Sequence, residues 1–359
     1  MTHPILKVVT CDGCQSYLVG CPSTRAALLV DPKVGRESTY ADLLEQYGLT
    51  LVAVLDTHTH ADHLSASTRL TGEDVPLWMS HATPVDRPMR KLRDGEEVEV
   101  GELRFRVIEV PGHTVDSVAL YGRGLVLTGD SLFIGGLARA DFVGSDPEQL
   151  FRSVKERLMT LPGETLVFPG HGYNGILFST IEAESRLNEA LQFDSAAAYA
   201  ESLGAVIGAG NSDAVVRNLE LNLAESPELP AVAGNAAACC AAPSKGTAVK
   251  IPEISAAKGR EIRDGLGDAG QWVDVRDPFE YEHGHIEGVT NLPLSELGFH
   301  LDHFQGDRPY YLSCRSGVRS MTAAKTLARL GVVTNPVNVG GGILGWQDQG
   351  FPIIGLPAS

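Results

Sequence analysis

At 359 residues the chain exceeds the ~250–300 at which a single hydrophobic core stops growing, so two domains are expected. Apolar residues make up 43% and charged residues 21%, a globular balance that excludes long disorder and fibrous repeats. With 45 Asp and Glu against 29 Lys and Arg, the formal charge is −16. Such an acidic surface repels phosphate backbones and anionic membranes, which argues against a nucleic-acid or membrane partner.

No stretch approaches the roughly 20 apolar residues of a membrane span. The opening residues, MTHPILKVVTCDGC, lack the basic region and apolar core of a secretion signal. Six cysteines in a chain this long do not form a disulfide scaffold, so a reducing cytoplasm is expected. Cys11 and Cys14 form a C-x-x-C in a Gly-containing turn. No second pair accompanies it, and it reads as a turn rather than a metal or redox site.

From residue 1 to about 170 the pattern is short β-runs punctuated by Gly, Pro and Asp. Residues 40–47 read as a helix with Leu43, Leu44 and Tyr47 on one face, stopped by Gly48. Strands are predicted at 51–55 (LVAVL, ending at Asp56), 103–110, 125–127 (ending at Thr128-Gly129-Asp130) and 166–168 (ending at Pro169-Gly170-His171). Asp146-Pro147 opens a helix over 148–158. Residues 176–223 are mostly helical in composition. The small, nearly uncharged stretch 231–246 is the best linker, and its adjacent Cys239 and Cys240 cannot form an unstrained mutual disulfide. A second strand–helix alternation follows, with strands at 272–275, 309–312 and 337–339 and a helix after Ser320.

THTHADH at 57–63 packs three histidines and an aspartate into seven residues at a strand end. Alternation points His58 and His60 the same way, and the turn that follows brings Asp62 and His63 back. Imidazoles with a carboxylate suit Zn, Fe or Mn, and the lack of cysteine ligands speaks against a structural zinc site. His113 in PGHT, Asp130 in TGD and His171 in PGHGY lie at further strand ends, as a sheet-edge metal centre requires.

H-x-H-x-D-H followed by PGHT, GD and a late GH resembles the metallo-β-lactamase superfamily, and within it the ETHE-one-like persulfide dioxygenase branch. The resemblance covers about residues 5–235 and implies an αβ/βα sandwich with metal at the loop edges of two sheets. In that branch one Fe(II) is held by residues matching His58, His113 and Asp130, a two-His-one-carboxylate set with open positions for a substrate sulfur and O2. His60, Asp62, His63 and His171 then orient ligands and water. In the dinuclear zinc hydrolases of the superfamily the same seven positions hold two metals, and spacing alone does not separate the readings. Arg139 in LARADF matches the branch's glutathione-binding arginine and Tyr173 its tyrosine. The sequence departs from the usual pattern in reading GGLARADF for a GCGR turn and PGHGY without an acidic residue before the tyrosine.

Residues 309–312 lead into SCRSGVRS at 313–320, after which Met321, Ala324, Leu327 and Leu330 recur at helical spacing. A cysteine on such a strand-to-helix loop sits at a helix N-terminus, where free N–H groups and the dipole favour a thiolate and bind anions. Arg315 and Arg319 add positive charge. VDVRDPFEYEHGHIEG at 273–288, the CRSGVRS loop (Cys314, Arg315, Ser316, Gly317, Val318, Arg319) and GGILGW at 341–346 resemble a rhodanese domain over about 250–356. That implies a central parallel sheet and a Cys314 persulfide in ping-pong sulfur transfer. C-x4-R is the short loop of sulfurtransferases, one residue less than the phosphatase loop. Asp274 and Arg276 are expected to stabilise the fold, and His283 and His285 lack a third ligand.

The fold expected is therefore α/β: a metallo-β-lactamase sandwich over 1–235, a linker over 236–250 and an α/β rhodanese domain over 251–359. The function expected is bifunctional sulfur metabolism. Glutathione persulfide is oxidised by O2 to sulfite and glutathione at one Fe(II), and sulfane sulfur is exchanged between thiosulfate and glutathione at Cys314. The partners are small thiols and persulfides, thiosulfate, sulfite and O2, with a homodimer among the assembly states allowed. The rivals are a dinuclear zinc thioester hydrolase of glyoxalase-II type and a non-enzymatic persulfide carrier or sensor.

Overall fold

A computed structural model of the chain describes residues 3–142, 144–173, 175–203, 213–225, 229, 249–266, 270–305 and 307–355. The linker expected at 231–246, with Cys239 and Cys240, lies outside the described residues. The chain divides into two units, Met1–Tyr173 with Ser179–Gly246 and Asn174–Phe178 with Thr247–Ser359.

The Val-, Ile- and Leu-rich runs of the first unit become strands of two six-stranded sheets. One sheet runs in chain order: β1 (Ile5–Cys11), β2 (Cys14–Gly20), β3 (Ala26–Val30), β4 (Thr50–Leu55), β5 (Leu77–Ser80) and β6 (Arg90–Leu92). Its first three strands are antiparallel and the rest parallel. The other is built from β7 (Glu97–Val100), β8 (Leu103–Glu109), β9 (Val118–Gly122) and β10 (Leu125–Gly129). After the short hairpin of β11 (Leu132–Phe133) and β12 (Gly136–Leu137), β13 (Leu166–Pro169) and β14 (Ser179–Thr180) complete it, in the order β14-β13-β10-β9-β8-β7.

Helices α1 (Glu37–Gln46), α2 (Ser67–Leu70), α3 (Pro147–Ser153), α4 (Ile181–Leu187), α5 (Ala196–Ser202) and α6 (Asp213–Leu223) complete this unit. Period-2 alternation explains the layering. Ala27 and Leu29 of β3 pack under Tyr40, Leu43 and Leu44 of α1, on the outer face of the first sheet. Across the inner faces, Tyr17 of β2 meets Phe168 of β13 edge-on, with ring centroids 5.8 Å apart. Leu150 and Phe151 of α3 and Tyr199 of α5 cover the second sheet against Val126 and Val167. Helix, sheet, sheet, helix is the αβ/βα order. Asp146 caps α3 by accepting from the Gln149 N–H at 2.9 Å. The helix expected to run on to residue 158 instead changes to a wider turn, closed by the Met159 N–H on the Val154 carbonyl.

The second unit holds β15 (Glu253–Ile254), β16 (Gln271–Asp274), β17 (Thr290–Asn291), β18 (Tyr310–Ser313) and β19 (Pro336–Val339), all parallel, in the order β15-β19-β18-β16-β17. Its helices are α7 (Ala256–Leu266), α8 (Pro278–His283), α9 (Val318–Leu330) and α10 (Gly342–Asp348). Trp272, Tyr311 and Trp346 anchor the core. Among the described residues no helix is long and apolar enough to cross a membrane.

Candidate metal centre and sulfur-transfer loop

Strands β3, β4, β8, β10 and β13 all deliver polar residues at their C-terminal ends, where the backbone leaves the ladder and a side chain can point into the sheet edge. His58, His113 and Asp130 meet there, each buried, with ligand atoms all within 4.8 Å of one another. His58 Nε2 lies 4.0 Å and His113 Nε2 3.9 Å from Asp130 Oδ2.

The opposite atom of each group is tied down. Thr57 Oγ1 donates to Asp31 Oδ2 at 2.8 Å, so it accepts from His58 Nδ1–H at 3.0 Å. A hydroxyl has only one proton to give, and that fixes the imidazole tautomer. His113 Nδ1–H donates to the Arg139 carbonyl at 2.8 Å. His171 Nδ1 holds Asp130 Oδ1 at 2.9 Å. The three inward atoms keep their lone pairs, and His58 Nε2 and Asp130 Oδ2 are buried without a hydrogen-bond partner. Burial, with His60 alongside, pushes His58 down to about 3, so its imidazole is uncharged near neutrality. Burial alone would raise the Asp130 carboxyl, but His171, His58 and His113 together hold it well below the usual range.

His60 does not join this set. Its ring is 4.2 Å from that of His58, yet Nε2 donates to Asp31 Oδ1 at 3.1 Å and faces Asp56 at 4.0 Å. The chain turns at Thr59, whose hydroxyl and N–H both bond Asp116, and so the strict alternation expected past residue 58 is broken. Asp62, His63 and His171 gather instead with Cys14. Cys14 Sγ, His63 Nδ1 and His171 Nε2 lie 3.2, 3.0 and 3.2 Å from Asp62 Oδ2. Asp62 sits well below and His63 well above its ordinary value. Burial opposes both shifts, and their mutual attraction outweighs it.

Two glycines make the approach possible. A Cβ on Gly170 would collide with Asp130 Oδ1, and Gly129, at φ +49°, abuts Thr57. Asp31, Asp116 and Asn222, none of them marked by a motif, position the ligand loop. Buried Asn222 on α6 donates to the His60 and His63 carbonyls at 2.8 Å each and accepts from the Ser65 N–H at 3.0 Å.

A cavity of about 270 Å³ opens onto His113, lined by Arg139, Phe142, Pro84, Val215 and Leu219. The Arg139 Nε is 2.5 Å from Asp141 Oδ1, so this cation arrives with its own acid. Tyr173 is 40% exposed and stacks on His171, ring centroids 5.2 Å apart.

In the second unit, Cys314 is buried at the end of β18, before α9. Its Sγ accepts from the Gly317 N–H at 3.1 Å, and the Ser320 hydroxyl, whose proton goes to Asn338 Oδ1 at 2.7 Å, lies 3.4 Å away. Arg315, Ser316 and Val318 are exposed. Arg319 already holds a carboxylate, its two Nη atoms donating to Glu280 at 2.6 and 2.7 Å. Asp274 and Arg276 form a buried ion pair, and Arg276 also donates to the carbonyls of Glu280 and Gly284. His283 and His285 bond backbone carbonyls, and among the described residues neither belongs to a ligand cluster.

Comparison with known proteins agrees with this geometry. The metallo-beta-lactamase superfamily profile matches residues 9–171, and the rhodanese-like domain profile matches 259–349. The mitochondrial persulfide dioxygenase ETHE1 of Bos taurus is 34% identical over 180 residues, 49% of this chain and 70% of the relative. The crystal structure of ETHE1 from Myxococcus xanthus is 34% identical and superposes with a TM-score of 0.54, covering 60% of this chain and 98% of that one. A metallo-beta-lactamase structure from Staphylococcus aureus is 21% identical with a TM-score of 0.56. It covers 94% of this chain and all of its own, a likeness of fold. The chain belongs to the metallo-beta-lactamase superfamily as a relative of the ETHE1 persulfide dioxygenases, and it carries a C-terminal rhodanese-like domain.

Proposed function

We propose that the first domain oxidises glutathione persulfide at a single Fe(II) held by His58, His113 and Asp130. The balanced reaction is GSSH + O2 + H2O → GSH + sulfite + 2 H+, in which the sulfane sulfur loses four electrons and O2 gains them. The observation that carries this reading is the convergence of His58 Nε2, His113 Nε2 and Asp130 Oδ2, while the far atom of each is held by Thr57, Arg139 and His171. Buried and unpartnered, His58 Nε2 and Asp130 Oδ2 fit a cation. Two imidazoles and one carboxylate are a non-haem iron set. Fe(II) held by these three residues would supply the redox chemistry that joins a persulfide sulfur to O2. His60, drawn onto Asp31, keeps the ligand loop in place. Arg139 takes a glutathione carboxylate at the cavity wall, where the apolar lining from Phe142 to Leu219 excludes water, and Tyr173, outside that lining and stacked on His171, contacts the part of the substrate that extends beyond it.

Cys314 completes the cycle by ping-pong transfer. Its thiolate attacks thiosulfate, forming a Cys314 persulfide and releasing sulfite, and glutathione then takes the sulfur as its persulfide. The Gly317 N–H steadies the thiolate, and exposed Arg315 faces the incoming anion. A reducing cytoplasm suits the free thiols of Cys14 and Cys314.

Iron and zinc content measured with O2 uptake on glutathione persulfide tests the first reaction. Uptake should vanish in His113→Ala and persist in Cys314→Ser, which should lose sulfur transfer alone. Two zinc ions per chain with O2-independent thioester hydrolysis would refute the dioxygenase. Loss of uptake in Cys314→Ser would refute the independence of the two sites.

A further inference from the structure

Behind the Cys314 loop a row of polar side chains runs from the sulfur to the edge of the parallel sheet. Pairing of β15 with β19 sets Glu253 beside Asn338, whose N–H donates to the Pro252 carbonyl at 2.9 Å. In that register the buried Asn338 side chain spans the gap between Glu253 and Ser320, which is buried in the first turn of α9. A carboxylate only accepts, so the atom 2.6 Å from Glu253 Oε2 is the Asn338 amide nitrogen, and the Asn338 oxygen faces Ser320. That oxygen only accepts as well. It takes the Ser320 proton at 2.7 Å, a shorter contact than those of the same hydroxyl to the Gly317 carbonyl at 3.2 Å and to Cys314 Sγ at 3.4 Å.

We propose that Asn338, gripped by Glu253, is a positioning residue for Cys314: it commits the one Ser320 proton and leaves a Ser320 lone pair toward the sulfur. The inference rests on reading Cys314 as the nucleophile of the second domain. A free hydroxyl beside an ionised sulfur turns and donates to it, and a bond to a charged acceptor is roughly twice as strong as a neutral one. With Ser320 committed, the resting S–H points at Ser320 Oγ. The ionised sulfur keeps the Gly317 N–H at 3.1 Å but does not gain the hydroxyl. Nucleophilicity falls as a thiolate is stabilised, so a sulfur denied that bond is scarcer as thiolate and attacks faster once formed. Asn338 and Glu253 act on it only through Ser320. The other charged groups packed about the loop are Arg315, Arg319 of α9 with Glu280 and Asp277 beside it, and the Asp274–Arg276 pair after β16. All of them are the same in every variant below and drop out of the comparison.

The test is the rate at which iodoacetamide alkylates Cys314 in the full-length chain at pH 6, followed on the Cys314 peptide by mass spectrometry. Asn338→Ala frees the Ser320 hydroxyl to donate to the sulfur. A ~10-fold larger thiolate population, offset ~3-fold by its weaker nucleophilicity, should speed alkylation about 3-fold. Glu253→Gln, at an exposed position, supplies an NH2 that lets the Asn338 amide turn over, and the rate should rise in the same direction. Both rises should vanish in a Ser320→Ala background, a dependence that neither altered packing nor the lost charge of Glu253 produces. A wild-type or slower rate in either variant, or a rise that survives Ser320→Ala, overturns the proposal. Should Asn338→Ala fail to fold, Glu253→Gln decides alone. No sulfur donor enters this assay, so a chain that shows the expected alkylation pattern but no transfer from thiosulfate refutes the sulfurtransferase reading and upholds this one.

Discussion

Asn222→Ala is the sharpest test of how the ligand loop is held. One buried amide on α6 grips that loop at three points: the carbonyls of His60 and His63, each at 2.8 Å, and the Ser65 N–H at 3.0 Å. Alanine leaves all three backbone groups without their partner. A buried unpaired group costs about 1–3 kcal/mol, and the two carbonyls share one NH2, so the expected loss is about 3–4 kcal/mol. For a domain of this size that is roughly a 10 °C drop in Tm. Asn218→Ala, which removes one bond of 3.2 Å to the Ala61 carbonyl, should cost only about 1 kcal/mol. Denaturant unfolding of the full chain, following the first domain's transition, reads the stability. Because the loop carries His58 as well as His63, iron affinity should weaken about 10–100-fold in parallel. An Asn222→Ala chain within about 0.5 kcal/mol of wild type, with unchanged iron affinity, would show that the loop holds itself and that the clamp argument is wrong.

Glu280 sits below its ordinary value, because the Arg319 guanidinium outweighs a burial that would raise it. A depressed carboxyl stabilises the fold above its unfolded value, near pH ~4.3, and that contribution is lost as pH falls through the folded value. Glu280→Gln should therefore lower rhodanese-domain stability by about 1 kcal/mol at pH 7, with the gap to wild type closing in acid; a gap constant with pH would refute it. Gly170→Ala forces a methyl onto Asp130 Oδ1, and iron per chain should fall more than ~10-fold while sulfur transfer at Cys314 is retained. Arg139→Ala removes the guanidinium but not the carbonyl that holds His113, so KM for glutathione persulfide should rise about 10-fold with iron content unchanged. Loss of iron in that variant would mean that the Arg139–Asp141 pair shapes the loop.

Much of the architecture was legible because strand ends announce themselves. LVAVL before Asp56, LVLTG before Asp130 and LVFP before Gly170-His171 each couple a buried run to a polar terminus, and all three are strands. Less visible were β14, only two residues long, and β15 and β17 of the same length, too short for any period to register. The metal set was readable as residue types but not as a partition. Alternation places His58 and His60 together, whereas the Asp116 contacts to Thr59 turn the backbone and deliver His60 to Asp31. Asp31 shares the strand-end signal, after Leu28-Leu29-Val30, and could have been found by it. Asn222 could not, being one polar residue on a helix distant in sequence. Nothing in the C-x-x-C spacing marks Cys14, because no second pair lies near it in sequence and its neighbours in space come from residues 62, 63 and 171.

The net charge of −16 bears on how anions reach two sites that both need them. Reading the sequence alone reserves Arg139 for one pocket and Arg315 with Arg319 for the other. The structure gives Arg139 its own carboxylate, Asp141, and Arg319 its own, Glu280, which cancels most of the long-range attraction of each. What each pair retains is geometry: a guanidinium fixed by its acid keeps a planar array of donors oriented. Around Cys314, the pull on an anion then falls to the backbone N–H groups and dipole at the start of the thirteen-residue α9, and to exposed Arg315. Such donors act at contact range, so they suit a small anion that enters the loop and do not gather polyanions from solution. An acidic surface and a short anion loop are thus compatible, and the acid partners of Arg139 and Arg319 are what reconcile them.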